Sequence, residues 1–472
     1  MQRPTLPRRQ FVQRSAALLG GAAALGALGT DSARADDDKA LVCIFLYGGN
    51  DGMNCVVPSD SARHAAYAAV RGPLALTQAS LVGLPGSDYG LHPALSALRP
   101  MWDARQLAPV FNVGPLQRPL TKAEYIAAPD GADYLPDSLF SHSDQQILWE
   151  CGTADALTRT GWGGRGSALL GTVNPVISVG GNGRFGVEAL RSPLVVPGPG
   201  SDFGAYGLRP EDLGWTPNRL RREAIDALYA QPQGSALGDA YRAQQGIAFE
   251  ISQRLAALVA ALPGSTLASP QIDAAFAPLI ADGALTTPLA GQLYQVAKLV
   301  RANAIVQGTR QMFFAQQGGY DTHFDQVGGT AATGTHAALL KQLGDAMAAF
   351  QRAMDNLGMA GQVTLFTQSD FGRTFVPNSS RGTDHAWGNH QLVLGGAVRG
   401  GATYGRYPAL AVGGPDDVGV EDWELQGRWI PTSSVDQYAA TLLGWFGAGA
   451  GQLDTVLPNL ANFGAARSLG FL

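Results

Sequence analysis

Leu41 to Tyr47 is a continuous apolar run that stops abruptly at Gly48-Gly49-Asn50-Asp51-Gly52. A run of that length bounded by glycines predicts a strand buried on both faces, and so a central strand of a parallel sheet. Leu107 to Val113, Thr309 to Ala315 and Val363 to Thr367 repeat the pattern, and Gln391 to Gly395 adds another strand. Between these runs the period lengthens. Ser61 to Val70, Pro93 to about Arg105, Leu220 to Leu262, Pro288 to Ala304 and Ser433 to Phe446 have helical composition. In His336 to Leu357 the residues Leu339, Leu340, Leu343, Met347, Phe350 and Met354 mark one apolar helix face. Strands alternating with helices over short connections are the rhythm of a doubly wound α/β sheet. The pattern therefore predicts a three-layer α/β/α domain over residues 36–472, with a mostly parallel sheet and a mainly helical insertion or cap over 215–305. The Gly/Pro-rich stretch from Val173 to Gly214 reads as loops and edge elements.

The first 35 residues stand apart. Arg8-Arg9-Gln10-Phe11-Val12 precedes an Ala/Gly/Leu run from Ala16 to Gly29, and Ala33-Arg34-Ala35 offers small residues before a cut. This is the layout of a twin-arginine signal peptide, which predicts the twin-arginine translocase as a partner and a periplasmic or secreted mature protein. The run is too short and too weakly apolar for a stable membrane span. Lys and Arg number 33 against 38 Asp and Glu, a balance that argues against nucleic acid as a partner. With 46% hydrophobic and 15% charged residues the chain can fill a large core. Cys43, Cys55 and Cys151 are an odd set, so at most one intramolecular disulfide can form, and Cys43 falls inside the first strand.

Candidate chemistry gathers at strand ends. Asp51, Asp321 and Asp370 each follow a predicted strand, and parallel strands deliver their carboxyl ends to one edge. Asp321 and His323, two residues apart on an extended segment, point to the same side and suit two ligands of one ion. The loop after Asp370 adds Asp384, His385 and His390. Carboxylates packed together without a cation repel one another. The cluster therefore predicts one or two divalent cations, with zinc, manganese and calcium as candidates. Taken singly, Asn50-Asp51-Gly52 is also ordinary turn chemistry. Ser141-His142-Ser143-Asp144 at a helix start reads either as an N-cap or as a nucleophile near free backbone N–H groups. His64 and His336 are expected on solvated helix faces, and His92 before Pro93 as structural.

Gly48-Gly49-Asn50-Asp51-Gly52, the Ser141 to Gln146 segment, Gly319-Tyr320-Asp321-Thr322-His323, Ser369-Asp370-Phe371-Gly372-Arg373 and Gly382-Thr383-Asp384-His385 together resemble the bacterial domain-of-unknown-function family fifteen-oh-one. The resemblance spans the mature chain and implies membership of the alkaline phosphatase and sulfatase superfamily. It implies an alkaline phosphatase-like fold, with Asp51 as an early metal ligand, Ser141 or Ser143 as nucleophile beside His142, and Asp321, His323 and Asp370 as later ligands. Phe371 stands where that superfamily often has a histidine, so His385 or His390 would complete the site, with Asp384 as a further ligand candidate. Arg373 and Arg381 would grip the substrate's non-bridging oxygens. The expectation is an exported metal-dependent hydrolase of a small-molecule or glycan phosphate or sulfate ester. One alternative is a non-catalytic secreted metal- or glycan-binding envelope module. A weaker one is a serine esterase using Ser143, His385 and an aspartate, since no Gly-x-Ser-x-Gly elbow surrounds Ser143.

Overall fold

The computed structural model describes residues 38–472 apart from 130, 154, 233 and 307, and apart from the side chains of 240, 243 and 244; the signal expected over 1–35 lies outside the described residues. Eight strands form the main sheet: β1 (Lys39–Leu46), β2 (Leu107–Gly114), β3 (Ile177–Ser178), β4 (Leu194–Val195), β5 (Arg310–Gln317), β6 (Val363–Ser369), β7 (Asn389–Gly395) and β8 (Ser433–Ser434). Their spatial order is β8-β2-β7-β6-β1-β5-β3-β4. β1 pairs in parallel with β5 on one side and β6 on the other. β7 is antiparallel to both its neighbours, and the other pairings are parallel.

β1 is central because both of its faces are apolar. Leu41, Cys43 and Phe45 enter one core layer, while Val42, Ile44 and Leu46 enter the other. The described helices include α1 (Ser61–Arg71), α2 (His142–Cys151), α3 (Trp162–Leu169), α4 (Thr216–Ala230), α5 (Ala236–Ala260), α6 (Pro288–Arg301), α7 (Thr335–Asn356) and α8 (Val435–Phe446). Leu293 and Val296 of α6 join Leu340, Met347 and Phe350 of α7 in the layer of Val42. Trp149 of α2, Trp162 of α3 and Leu442 of α8 join the layer of Phe45. Helices thus cover both sheet faces, and each large apolar side chain so buried contributes about 1.5–3 kcal/mol. Within 215–305, α6 packs directly against α7 and β5, so this part covers a sheet face.

Two histidines differ from expectation. His64 is buried, with Nε2 3.0 Å from the Leu76 carbonyl, because it shares a helix stripe with Tyr67 and Arg71. His336 is buried on the same stripe as Leu340, Leu343 and Met347, and its Nε2 lies 3.0 Å from Asn50 Oδ1. His92 is structural: its Nδ1 accepts the Ala94 N–H at 3.0 Å. All three cysteines are buried and free. No helix among the described residues is long and apolar enough to cross a membrane.

Candidate metal centre

β6, β1 and β5 are adjacent and parallel, so Asp370, Gly48 to Asp51, and Gly318 to His323 leave the sheet at one edge. The loops after β1 and β5 lie backbone to backbone. A Cβ on Gly48, which has a φ of +111°, would stand 2.4 Å from the Asp321 nitrogen. Only glycine permits that approach and that backbone conformation. Gly382 plays the same part for the second histidine loop, since a Cβ there would meet the His323 carbonyl carbon at 2.3 Å.

At this edge His142, Asp321, His323 and His385 bring one ligand atom each to within 4.8 Å of one another. Asp321 Oδ1 lies 3.2 Å from His142 Nε2, 3.1 Å from His323 Nε2 and 3.7 Å from His385 Nε2. The opposite ring nitrogens are all occupied. His142 Nδ1 is 2.7 Å from Asp370 Oδ2, His323 Nδ1 is 2.9 Å from Asp384 Oδ1, and His385 Nδ1 is 2.6 Å from the Phe140 carbonyl. Carboxylates and carbonyls accept only, so these partners assign the proton to Nδ1 in each ring. In the neutral rings every Nε2 then presents a lone pair. Those of His323 and His385 are 2.8 Å apart, and His142 Nε2 is buried without a hydrogen bond. Three lone pairs and a carboxylate oxygen facing one another repel unless a proton or a metal cation lies among them. Imidazoles oriented from behind by carboxylates or carbonyls are the arrangement by which proteins hold transition metals. The four donors therefore fit a metal ion.

Charge and burial tune the group. The Asp370 carboxylate raises the His142 pKa above its ordinary value. Burial pushes His385 down, helped by the neighbouring His142 and Arg373 charges. Burial acts to raise Asp321 and Asp384, but their bonds to Arg373 and to His323 respectively prevail, and both stay below the usual carboxylate range. Half of the Asp321 side chain is exposed (50%), so the cluster opens to solvent. Phe371 fills the position between the rings, 4.7 Å from the centroids of both His142 and His385.

The remaining expected residues occupy other places. Asp370 is fully buried and orients His142, accepting also from Gln146 Nε2 at 2.8 Å and the Gly48 N–H at 3.0 Å. Asp384 likewise orients His323. Asp51 lies outside the four: the chain turns there into the short helix Gly52–Cys55, and its carboxylate pairs with the fully buried Arg71 and accepts from Gln326 Nε2 at 2.6 Å. Burial acts to raise Asp51, yet Arg71 and His336 hold it below its ordinary value. His390 is also outside, its Nδ1 accepting the Asn112 N–H at 3.1 Å. Arg373 is buried and spends its donors on Asp321 at 2.6 Å and on the carbonyls of Gly49, Thr383, Tyr320 and Gly48. Arg381 donates to the Gly328 carbonyl. Ser141 is the N-cap residue of α2, and its hydroxyl pairs with that of exposed Ser143 at 3.2 Å. His385 Nδ1 lies 2.6 Å from the Phe140 carbonyl and its Nε2 2.8 Å from His323 Nε2.

Sequence reasoning missed His142 as a metal donor, as well as Gln146, the Phe140 carbonyl and Gln326. The spacing of His142 and Gln146, one helical turn apart, was the available signal that both face one partner. Gln326 is fully buried and ties the site to its floor. Its amide donates to Asp51 and accepts from Thr322 Oγ1 at 3.0 Å and Thr383 Oγ1 at 2.6 Å. Those threonines sit inside the two loops that carry the ligands.

Residues 224–422 match the model of a family described as Protein of unknown function (DUF1501). The matched span holds Asp321, His323, Asp370, Asp384 and His385, and leaves out His142 and Asp51. Comparison with curated proteins gives no match. One solved structure, described as "Crystal structure of Ps i-CgsB", is similar over 90% of this chain and 77% of its own, at 10% identity and a TM-score of 0.33. A likeness that weak transfers neither fold nor function.

Proposed function

We propose that this chain is a metal-dependent hydrolase of a phosphate or sulfate ester, with one divalent ion held by His142, His323, His385 and Asp321. The observation that carries the reading is the convergence of three Nε2 atoms on one Asp321 oxygen while each Nδ1 is fixed from behind. Three imidazoles with one carboxylate favour zinc or manganese over calcium, which prefers six to eight oxygen donors. Such an ion supplies Lewis acidity and lowers the pKa of a coordinated water. Asp370 and Asp384 keep the lone pairs of His142 and His323 aimed inward. Arg373 holds Asp321 in place and balances its charge. The Ser141 and Ser143 hydroxyls bond to each other, which favours a water nucleophile over a serine.

The superfamily placement belongs to this proposal, supported by a mostly parallel sheet with the donors at its carboxyl edge. So do export by the twin-arginine route and a periplasmic or secreted location, supported by the Arg8-Arg9 sequence pattern. The test is to expose the purified chain to zinc or manganese, remove excess ion, and assay aryl phosphates and aryl sulfates. Retained metal with turnover supports the proposal. Retained metal without turnover of either ester class points to the metal-binding module, and no retained metal refutes both the hydrolase and that metal-binding form.

A further inference from the structure

A metal-dependent ester hydrolase acting on an anion needs a cation free to meet it, and neither arginine expected from the sequence is free. Arg373 is buried among carbonyls, and Arg381 is held by Gly328. Arg428 meets the requirement. Its Nε donates to the His385 carbonyl at 3.0 Å, and its backbone N–H donates to Asp417 Oδ1 at 3.0 Å. Its guanidinium lies 4.8 Å from the centre of the Phe140 ring, on the residue whose carbonyl fixes the His385 imidazole. Ring face and Nε bond together hold the guanidinium plane beside a metal donor. Among the described residues its two Nη groups make no hydrogen bond or close ion pair, and its charge helps hold the nearby Asp384 carboxylate below its ordinary pKa. Arg428 as a whole is only part-buried.

We propose that Arg428 is a substrate-binding residue, whose Nη groups hold a non-bridging oxygen of a tetrahedral oxyanion held at the metal centre. The proposal rests on the hydrolase reading and names its anion anchor. A guanidinium pre-set by its Nε presents two parallel donors, which suits phosphate and sulfate oxygens better than a carboxamide or a neutral sugar hydroxyl.

The experiment is titration of the zinc-loaded full chain with inorganic phosphate and inorganic sulfate, for wild type, Arg428→Gln and Arg428→Lys, with zinc per chain measured in each sample. The expected result is zinc-dependent binding of at least one anion by wild type. Arg428→Gln should weaken it roughly 10–100-fold with the zinc ratio unchanged, and Arg428→Lys should weaken it less. If Arg428→Gln also loses zinc, through its lost bond to the His385 carbonyl, Arg428→Lys decides: weakened binding with zinc retained supports the proposal, and unchanged binding overturns it. Zinc-loaded wild type that binds neither anion overturns it too, as does wild-type affinity in zinc-loaded Arg428→Gln. Failure of wild type to hold either zinc or manganese instead refutes the underlying hydrolase reading, and this proposal with it.

Discussion

Asp370→Asn should lower zinc affinity by roughly 10–100-fold, the range found when the partner behind a metal-ligating histidine is removed. The substitution keeps the shape of a fully buried side chain and changes only which atoms accept. Asp370 accepts three bonds: from His142 Nδ1 at 2.7 Å, Gln146 Nε2 at 2.8 Å and the Gly48 N–H at 3.0 Å. An asparagine can satisfy only one side. With its oxygen toward His142, its NH2 group faces the Gly48 N–H, and a buried donor left unpaired costs about 1–3 kcal/mol. With its NH2 toward His142, Nδ1 must accept, the ring proton moves to Nε2, and the lone pair that a cation needs is gone. The expected loss in affinity corresponds to about 1.4–2.7 kcal/mol at 1.36 kcal/mol per factor of ten. The assay is zinc competition against a chelator of known affinity, on wild type, Asp370→Asn, His142→Ala and the double variant. If Asp370 acts through His142, its substitution should add little once His142 is gone. Wild-type affinity in folded Asp370→Asn would refute the reasoning, because His142 would then not be an oriented donor.

Gln326→Met should destabilise the metal-free chain by about 1–3 kcal/mol in urea unfolding, since the buried Asp51 carboxylate and the Thr322 and Thr383 hydroxyls lose a partner. Ser141→Ala and Ser143→Ala should leave ester turnover within about twofold of wild type if water is the nucleophile; a loss of about a thousandfold in either would restore the serine. Burial pushes the Asp436 carboxyl from 3.8 up to about 8. The folded chain therefore binds more protons than the unfolded one between those values, so this group's contribution to stability falls as pH rises through the window. Asp436→Asn should flatten that decline in melting curves taken from pH 5 to 8, and an unchanged slope would contradict the assignment.

The sheet edge was legible because it depends on local pattern. Runs such as Leu41 to Tyr47 announce buried strands, and glycine pairs at their ends announce loops that must pack closely. The strand-end positions of Asp321 and Asp370 followed from that. What each carboxylate would face did not follow, because its partner sits on another element of the fold, near or far along the chain. Asp370 meets His142, 228 residues away, and Asp51 meets Arg71 on α1. Helix stripes held information that polar identity concealed. His336 shares spacing with Leu340, Leu343 and Met347, and His64 with Tyr67, so both polar rings are buried with the apolar ones.

The central claim is that three imidazoles and one carboxylate hold a single ion. It is tested most directly by anomalous diffraction from crystals of the zinc-exposed chain. One zinc peak about 2.0–2.2 Å from His142 Nε2, His323 Nε2, His385 Nε2 and an Asp321 oxygen is the predicted result. A peak centred on Asp51 or His390, two peaks at this edge, or none would contradict it.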